Sequence, residues 1–366
     1  MHQKRNLPFK IENIDSLGQG VSKATDKITF IPKTLPGEIG VARILAQKKS
    51  VQFAEVIQIS QPAAERITPD CIHFNDCPSC HFLHTSYEME LKFKLLNLER
   101  LFSKIEHPSI NVIGAVRRNQ YRNRLQLHFD TKNKKLGMLD AKNQQIAPIP
   151  QCLIPVDSVK KELNRLYQDN NWLKMIPKDS PSQGHLEIYE RDGKINISVN
   201  RPYADGGFTQ VFHEMNLVLQ DLIKNELNSE QNTELIDLFA GDGNLSNNLN
   251  YSKRLCVDYY TKQVSPPFFS VDLYGENGIK MVREALSNQK NFPQILILDP
   301  PRSGLKNFQD WLNTLQPQKV AYVSCDPHTL VRDLLPLDSY LIKGIHLVDL
   351  FPSTFHFETV VFLERK

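Results

Sequence analysis

Three short stretches near the end of the chain carry residues that could do chemistry together. They are Asp299-Pro300-Pro301-Arg302-Ser303-Gly304, Ser324-Cys325-Asp326-Pro327 and His356-Phe357-Glu358-Thr359. Each sits at or near the end of an apolar run. A thiolate can add to an electron-poor ring. One carboxylate can hold that ring by its edge, and a second, set among aromatic residues that disfavour its charge, can remove a proton near neutral pH. Upstream, Asp237-Leu238-Phe239-Ala240-Gly241-Asp242-Gly243 reads as a nucleotide-cofactor loop. The combination points to methyl transfer onto a pyrimidine carbon. Singly, each piece has a plainer reading: a strand-terminating turn, a buried inert cysteine, a glutamate on an edge strand. His356 is an alternative base to Glu358.

The elements that must position these residues can be read from periodicity. From 213 onward a helix (213–228) leads to apolar strands at 235–239, 254–258, 295–299 and 320–324. That pattern indicates a parallel sheet covered on both faces, with Asp299 and Cys325 at the carboxyl ends of successive strands, where such sheets bind ligands. Runs at 342–349 and 358–364 are close enough to pair as an antiparallel edge. The glycine loop follows a strand and is expected to precede a helix, so its backbone can approach a ligand. Asp258 ends the next strand, 17 residues after Gly241, where an acid would bond a ribose diol. Ser246 in place of a third glycine, and acids at Asp237 and Asp242, disfavour a pyrophosphate such as that of NAD and suit a cationic sulfonium. Only 13 residues separate Asp258 from Asp272, and Pro266-Pro267 lie among them. That crossover is expected to be a loop or a single turn.

The front half differs in character. Residues 7–60 alternate short β-type runs with turn signals, which suggests a small barrel. Residues 86–103 carry Leu91, Leu95, Leu98 and Phe102 at helical spacing. Strand-like runs occupy 123–129 and 194–200, and Gly206-Gly207 marks a boundary. The chain has 366 residues, 40% hydrophobic and 23% charged, with a net charge of +3. That charge is uneven. Residues 1–66 hold ten Lys or Arg against six Asp or Glu, and residues 117–135 hold seven basic residues against Asp130 alone. A basic front half suggests an anionic partner, with a solvated charged face as the plain alternative. No apolar run reaches membrane length and no apolar stretch follows the basic N-terminus, so a cytoplasmic protein is expected. Of six cysteines, Cys71, Cys77 and Cys80 cluster, with Cys152 remote. A compact triad plus a fourth fits an iron–sulfur cluster; zinc, or no metal, remain alternatives.

Taken together the motifs resemble those of the RNA 5-methyluridine (uracil-C5) methyltransferases that use S-adenosylmethionine. Matching stretches are the Leu35-Pro36-Gly37-Glu38 turn of a TRAM-like barrel, the four cysteines, Tyr121-Arg122-Asn123-Arg124, Phe208-Thr209-Gln210-Val211, the glycine loop, Asp299-Pro300-Pro301-Arg302, Ser324-Cys325-Asp326-Pro327, and Pro352, His356 and Glu358. The resemblance implies an α/β protein with three domains: 1–62 a TRAM/OB-like RNA-binding β-barrel, 63–207 a central α+β domain with a 4Fe-4S site, and 208–366 a Rossmann-like methyltransferase domain, the helix 86–103 packing on the last. It implies Cys325 as nucleophile, Glu358 as base and Asp299 as orienting carboxylate. Gln210, Asp237, Phe239, Gly241, Gly243, Asp258, Asp272 and Asp299 would hold the cofactor. Cys71, Cys77, Cys80 and Cys152 would hold the cluster, and Arg117, Arg118, Arg122, Arg124 and Arg302 would face ribosomal or transfer RNA. The protein is expected to be a monomer without an obligate protein partner. The chain departs from the family pattern at Pro78-Ser79, where two glycines are usual, at Phe212, where asparagine is usual, and in the short crossover after Asp258. An RNA-binding protein with a degenerate methyltransferase domain is the alternative.

Overall fold

A computed structural model describes residues 6–140, 145–202, 210–228, 233–259, 267–286 and 293–366. Gly206-Gly207, Phe208, Thr209 and most of the crossover after Asp258 lie outside these. The chain divides into two compact units. The first comprises Met1–Asn97, Val116–His213 and Phe351–Phe355; the second comprises Leu98–Ala115, Glu214–Leu350 and His356–Lys366.

The first unit begins with β1 (Asn6–Ile14), β2 (Gln19–Ser22), β3 (Ile28–Pro32), β4 (Ile39–Gln47) and β5 (Val51–Gln61), which close into a barrel in the order β1-β2-β3-β5-β4. The alternation of buried and exposed residues along β1 is what closure requires. Leu7, Phe9, Ile11, Ile31, Ala42 and Ala54 fill the interior. The Leu35-Pro36-Gly37-Glu38 turn is more than a turn. Its Glu38 is fully buried and accepts from the backbone N–H of Leu35 and from the Arg66 guanidinium. Lys33 Nζ donates to the carbonyls of Asn75 and Cys77, so the end of β3 holds the cysteine loop in place.

Helix α1 (Tyr87–Phe102) starts where Ser86 Oγ accepts from the Met89 N–H, an N-cap of the expected kind. The short strand β6 (Ile110–Ile113) follows. Strands β7 (Arg124–Asp130), β8 (Lys135–Asp140), β9 (Gln145–Ala147), β10 (Gln183–Arg191) and β11 (Lys194–Val199) form a second sheet, ordered β11-β10-β7-β8-β9. Helix α2 (Asp157–Tyr167) buries Val159, Leu163 and Leu166 in the same core as Leu125, Leu127, Phe129 and Trp172. At the head of this unit Glu90 on α1 is fully buried and takes three donors: Lys94 Nζ at 2.7 Å, Arg118 at 2.8 Å and the Ser353 N–H at 2.7 Å. One carboxylate thus ties α1, the segment before β7 and residues Phe351–Phe355.

The second unit is built on an eight-stranded sheet ordered β14-β13-β12-β15-β16-β18-β17-β6. Its strands are β12 (Glu234–Leu238), β13 (Lys253–Asp258), β14 (Phe268–Ser270), β15 (Ile295–Leu298), β16 (Lys319–Ser324), β17 (Tyr340–Val348) and β18 (Glu358–Arg365), with β6. Strands β12 to β16 run parallel, and all four residues of β15 are buried, which an open sheet face would not allow. The 342–349 and 358–364 runs pair antiparallel as expected, but they are not the edge. Strand β18 sits inside, beside β16, and β6 covers β17 in parallel. Helices α3 (His213–Leu227), α4 (Gly278–Ala285), α5 (Phe308–Leu315) and α6 (Pro327–Leu334) complete the unit.

One expectation is corrected. No helix follows the glycine loop; residues 241–248 form consecutive turns. Asparagines at 244, 247 and 248 offer side chains that compete with a helical ladder. Asn244 exchanges amide hydrogen bonds with Asn216 of α3, Gln220 donates to the Asn244 carbonyl, and Asn248 donates to Gln220.

Truncating a buried carboxylate that holds a buried lysine and a half-buried arginine removes the counter-charge of both, at a cost of about 3–5 kcal/mol. Glu90→Ala is therefore expected to lower the urea midpoint by that measure, and Glu90→Leu with Lys94→Met to recover part of the loss. Urea unfolding checks both variants.

Candidate active site

The sheet register brings Cys325 and Glu358 together. Ser324, the last residue of β16, pairs with Thr359 of β18, so the next residue of each chain faces the other across the antiparallel pair. Leu298 of β15 pairs with Tyr322 of β16, which carries Asp299 off the same end of the sheet. After Cys325 the chain turns at once into α6. Asp326 caps that helix by accepting from the His328 N–H, Pro327 occupies its first turn, and Ser324 Oγ accepts from the Asp326 N–H. The cysteine is thus held between a buried strand and a capped helix.

The electrostatics follow from burial. Glu358 is 4% exposed, and its Oε2 is buried with no hydrogen-bond partner among the described residues. Burial pushes its carboxyl well above the usual range, the charge of Asp299 adds to this, and Arg302 opposes it. Burial and the Asp237 charge lift Asp299 to about 7, although its surface is only part buried. Burial lifts the Cys325 thiol to about 12; Glu358 and Asp299 raise it further and Arg302 lowers it. Arg302 is exposed, with a guanidinium nitrogen 3.5 Å from His356 Nε2. Burial thus holds Cys325 toward its thiol form, and Arg302 is the cation that favours its ionisation.

The glycine loop leaves the sheet beside this set. Asp237 is 1% exposed; burial raises it to about 7, against a 2.6 Å hydrogen bond donated by Ser246. Phe239, Gly241 and Gly243 all have positive φ. Open space lies where a Gly241 Cβ would be, so the backbone there can meet a ligand directly. The Gly241 N–H donates to Asp258 at 2.9 Å, which fixes the turn and brings that acid under the loop. Asp272 is exposed, beyond β14. Two deeply placed acids with raised pKa values and an open glycine turn fit a ligand that is cationic where it meets the sheet. Gln210 belongs to the first unit, where Asn123 donates to its carbonyl.

In the first unit Cys71, Cys77, Cys80 and Cys152 line one small cavity with Tyr121 and Arg122. Burial raises the thiols of Cys71, Cys80 and Cys152, the last to about 11. Among the described residues no three His, Cys, Asp or Glu side chains are grouped closely enough to hold a single metal ion.

The arginines divide. Arg117 is exposed, its guanidinium 5.6 Å over the Phe212 ring. Arg122 is half-buried beside the cysteine cavity. One expectation is corrected on burial: Arg124 is 3% exposed and ion-paired with Glu187 at 3.0 Å, so it does not face solvent. Arg118 is half-buried and donates to Glu90 and to the Phe82 and Thr85 carbonyls. Sequence reasoning missed Tyr274, Arg332 and Asp333, which hold the 301–305 loop. They lie 28 to 30 residues from the Ser303, Gly304 and Leu305 groups they bond, so no local pattern reveals them.

A parallel sheet with a glycine loop and buried acids at its carboxyl edge, joined by a cysteine and glutamate in register, is an arrangement of the Rossmann type. A family model described as tRNA (Uracil-5-)-methyltransferase matches residues 269–366. The 23S rRNA (uracil(1939)-C(5))-methyltransferase RlmD of Shewanella woodyi is 25% identical over 98% of this chain and 96% of its own length. RlmD of Shewanella frigidimarina is 26% identical over 98% and 95%. The crystal structure of the Pyrococcus abyssi tRNA (uracil-54, C5)-methyltransferase with S-adenosyl-L-homocysteine shares the fold, with a TM-score of 0.69 at 20% identity over 97% of this chain and 99% of that one. The resemblance read from the motifs is borne out: over its whole length the chain is similar to RNA uracil-C5 methyltransferases.

A carboxyl raised in the folded state contributes stability that is complete below its unfolded pKa and lost as pH rises through the folded one. For Asp237 that window runs from about 4 to about 7. Asp237→Asn, which can still accept from Ser246, is expected to be more stable than the parent at pH 8.5, on the order of 2 kcal/mol. The gap should close toward pH 4. Melting across that range checks the sign.

Proposed function

We propose that the protein transfers a methyl group from S-adenosylmethionine to carbon 5 of a uridine in RNA, through a covalent adduct at Cys325. The observation that carries this reading is the register that faces Cys325 with Glu358, beside Asp299. The whole-length likeness to enzymes named for 23S rRNA favours ribosomal over transfer RNA. The degenerate-domain alternative is not favoured, because nucleophile, base and orienting carboxylate are all present at one edge of the sheet.

Asp237, Asp299 and the Phe239–Gly243 turn would hold the cofactor, with Asp258 and Asp272 toward its ribose end and Gln210 as a further contact. Bound there, the cofactor supplies a methyl group that reacts as an electrophile. Cys325 loses its proton and its sulfur bonds to carbon 6 of the uracil, moving an electron pair toward carbon 5. Carbon 5 takes the methyl group with that pair. Glu358 removes the proton from carbon 5, the sulfur–carbon bond breaks, and the thiolate is restored. Asp299 would hold the ring edge. The base must leave its stack to reach these groups. The barrel, Arg117, Arg122 and Arg302 would meet phosphates.

The four cysteines around one cavity would hold a 4Fe-4S cluster. On this reading residues 1–62 would be a TRAM-like RNA-binding domain, 63–207 the cluster domain and 208–366 the catalytic domain, the closed barrel and its Leu35–Glu38 turn supporting the first. Among the described residues no helix is long and apolar enough to cross a membrane, in keeping with a cytoplasmic enzyme.

Purified protein given labelled S-adenosylmethionine and unmodified ribosomal or transfer RNA should place label in 5-methyluridine of the ribosomal RNA. Cys325→Ala should place none. The same preparation should carry about four iron atoms per chain, lost in Cys80→Ser. Label in another nucleoside, or in Cys325→Ala, contradicts the proposal.

A further inference from the structure

The loop that carries Arg302 is held from two sides. From α6, Asp333 is buried and accepts from the Leu305 N–H at 2.7 Å and the Tyr322 hydroxyl at 2.7 Å. Arg332 donates to the Ser303 carbonyl at 2.8 Å and is paired with Asp333. Gly304, at φ +65°, has no room for a Cβ, which would meet Asp333 Oδ2 at 2.4 Å. This side is rigid and reaches back to Cys325, which immediately precedes the cap of the same helix.

The other side is Tyr274. Its backbone N–H donates to Asp272 at 2.9 Å, which fixes the turn after β14. Its ring lies 5.5 Å from the ring of Phe239, in the glycine loop. Its hydroxyl reaches the Gly304 carbonyl and Ser303 Oγ, each at 2.9 Å. Yet the residue is 48% exposed. A half-exposed tyrosine that spans the cofactor loop and the arginine loop is not needed for the core, and its hydroxyl makes the link.

We infer that Tyr274 is a positioning residue that couples occupation of the cofactor loop to the placement of Arg302 against Cys325. The inference rests on the proposed function. A ligand seated on the Phe239–Gly243 turn fixes Phe239; the packed Tyr274 ring is fixed with it; and the hydroxyl then holds Ser303 and Gly304, hence Arg302, in one position. Of the charged groups that act most strongly on Cys325, Glu358 and Asp299 disfavour the thiolate and Arg302 favours it. Securing Arg302 therefore makes the thiol more reactive when the cofactor is bound.

The test uses full-length protein and S-adenosylhomocysteine, with Cys325 alkylation by iodoacetamide followed by mass spectrometry between pH 7 and 10. The expected result is that the parent protein is alkylated several-fold faster when S-adenosylhomocysteine is bound, its pH profile moving down. Tyr274→Phe, which keeps the ring, should bind S-adenosylhomocysteine within about twofold of the parent but lose this acceleration. Ser303→Ala, which keeps the Gly304 carbonyl, should retain part of it. Melting temperatures near the parent's confirm that both variants fold. If Tyr274→Phe shows the full acceleration, or the parent binds the ligand without any, the inference is overturned while the functional reading stands. A parent protein that binds no S-adenosylhomocysteine overturns both.

Discussion

The constraint on which the rest depends is the burial of acidic groups at one end of a parallel sheet. Asp237, Asp299 and Glu358 sit where strands deliver them, and burial raises all three. Water would relieve the charge, but apolar strands on either side exclude it. Burial shifts these carboxyls toward their protonated forms and holds Cys325 toward its thiol. Such a site is poised for a cation. A sulfonium near Asp237 and Asp299 would let carboxylates ionise that are otherwise held neutral, and Arg302 does the same for Cys325. Ligand binding and activation of the nucleophile then have one electrostatic origin.

The scaffold keeps this arrangement by register and by buried hubs. An antiparallel pair fixes Cys325 against Glu358, since a slip of one residue would turn one of them to the other face. Asp333 ties the loop after Asp299 to the helix after Cys325. In the first unit, Glu38 and Glu90 do comparable work for the barrel, the cysteine loop and α1. These carboxylates are matched by arginine or lysine in direct ion pairs, whereas Arg302 and Arg254 act on the sheet-edge acids without outweighing burial. That contrast separates structural acids from those available for chemistry.

Much of this was legible in the sequence, because the chemistry lies at strand ends and apolar strands announce themselves. The runs leading to Asp299 and Cys325 placed both at the carboxyl ends of neighbouring strands, where the structure has them, and the register brings Glu358 beside Cys325. The helix expected over 86–103 is found at Tyr87–Phe102. What failed did so for reasons of competition and distance. The helix after Gly243 lost to asparagine side chains that bond α3. Strand β6, with two of its four residues exposed, carries too weak an apolar pattern to be read alone. Arg118 and Arg124 looked like a basic patch because their acidic partners, Glu90 and Glu187, are 28 and 63 residues away. Local charge counts overstate an electrostatic face whenever such partners are hidden by the fold.

The most direct test of the account is to stall the reaction between methyl transfer and proton removal. Glu358→Gln protein would be incubated with labelled S-adenosylmethionine and unmodified ribosomal RNA, then run on a denaturing gel, with the band analysed by mass spectrometry. The account predicts a protein–RNA species that survives denaturation, carries the methyl label, and maps to Cys325. Normal turnover by the variant with no such species, or a species attached elsewhere than Cys325, would contradict it.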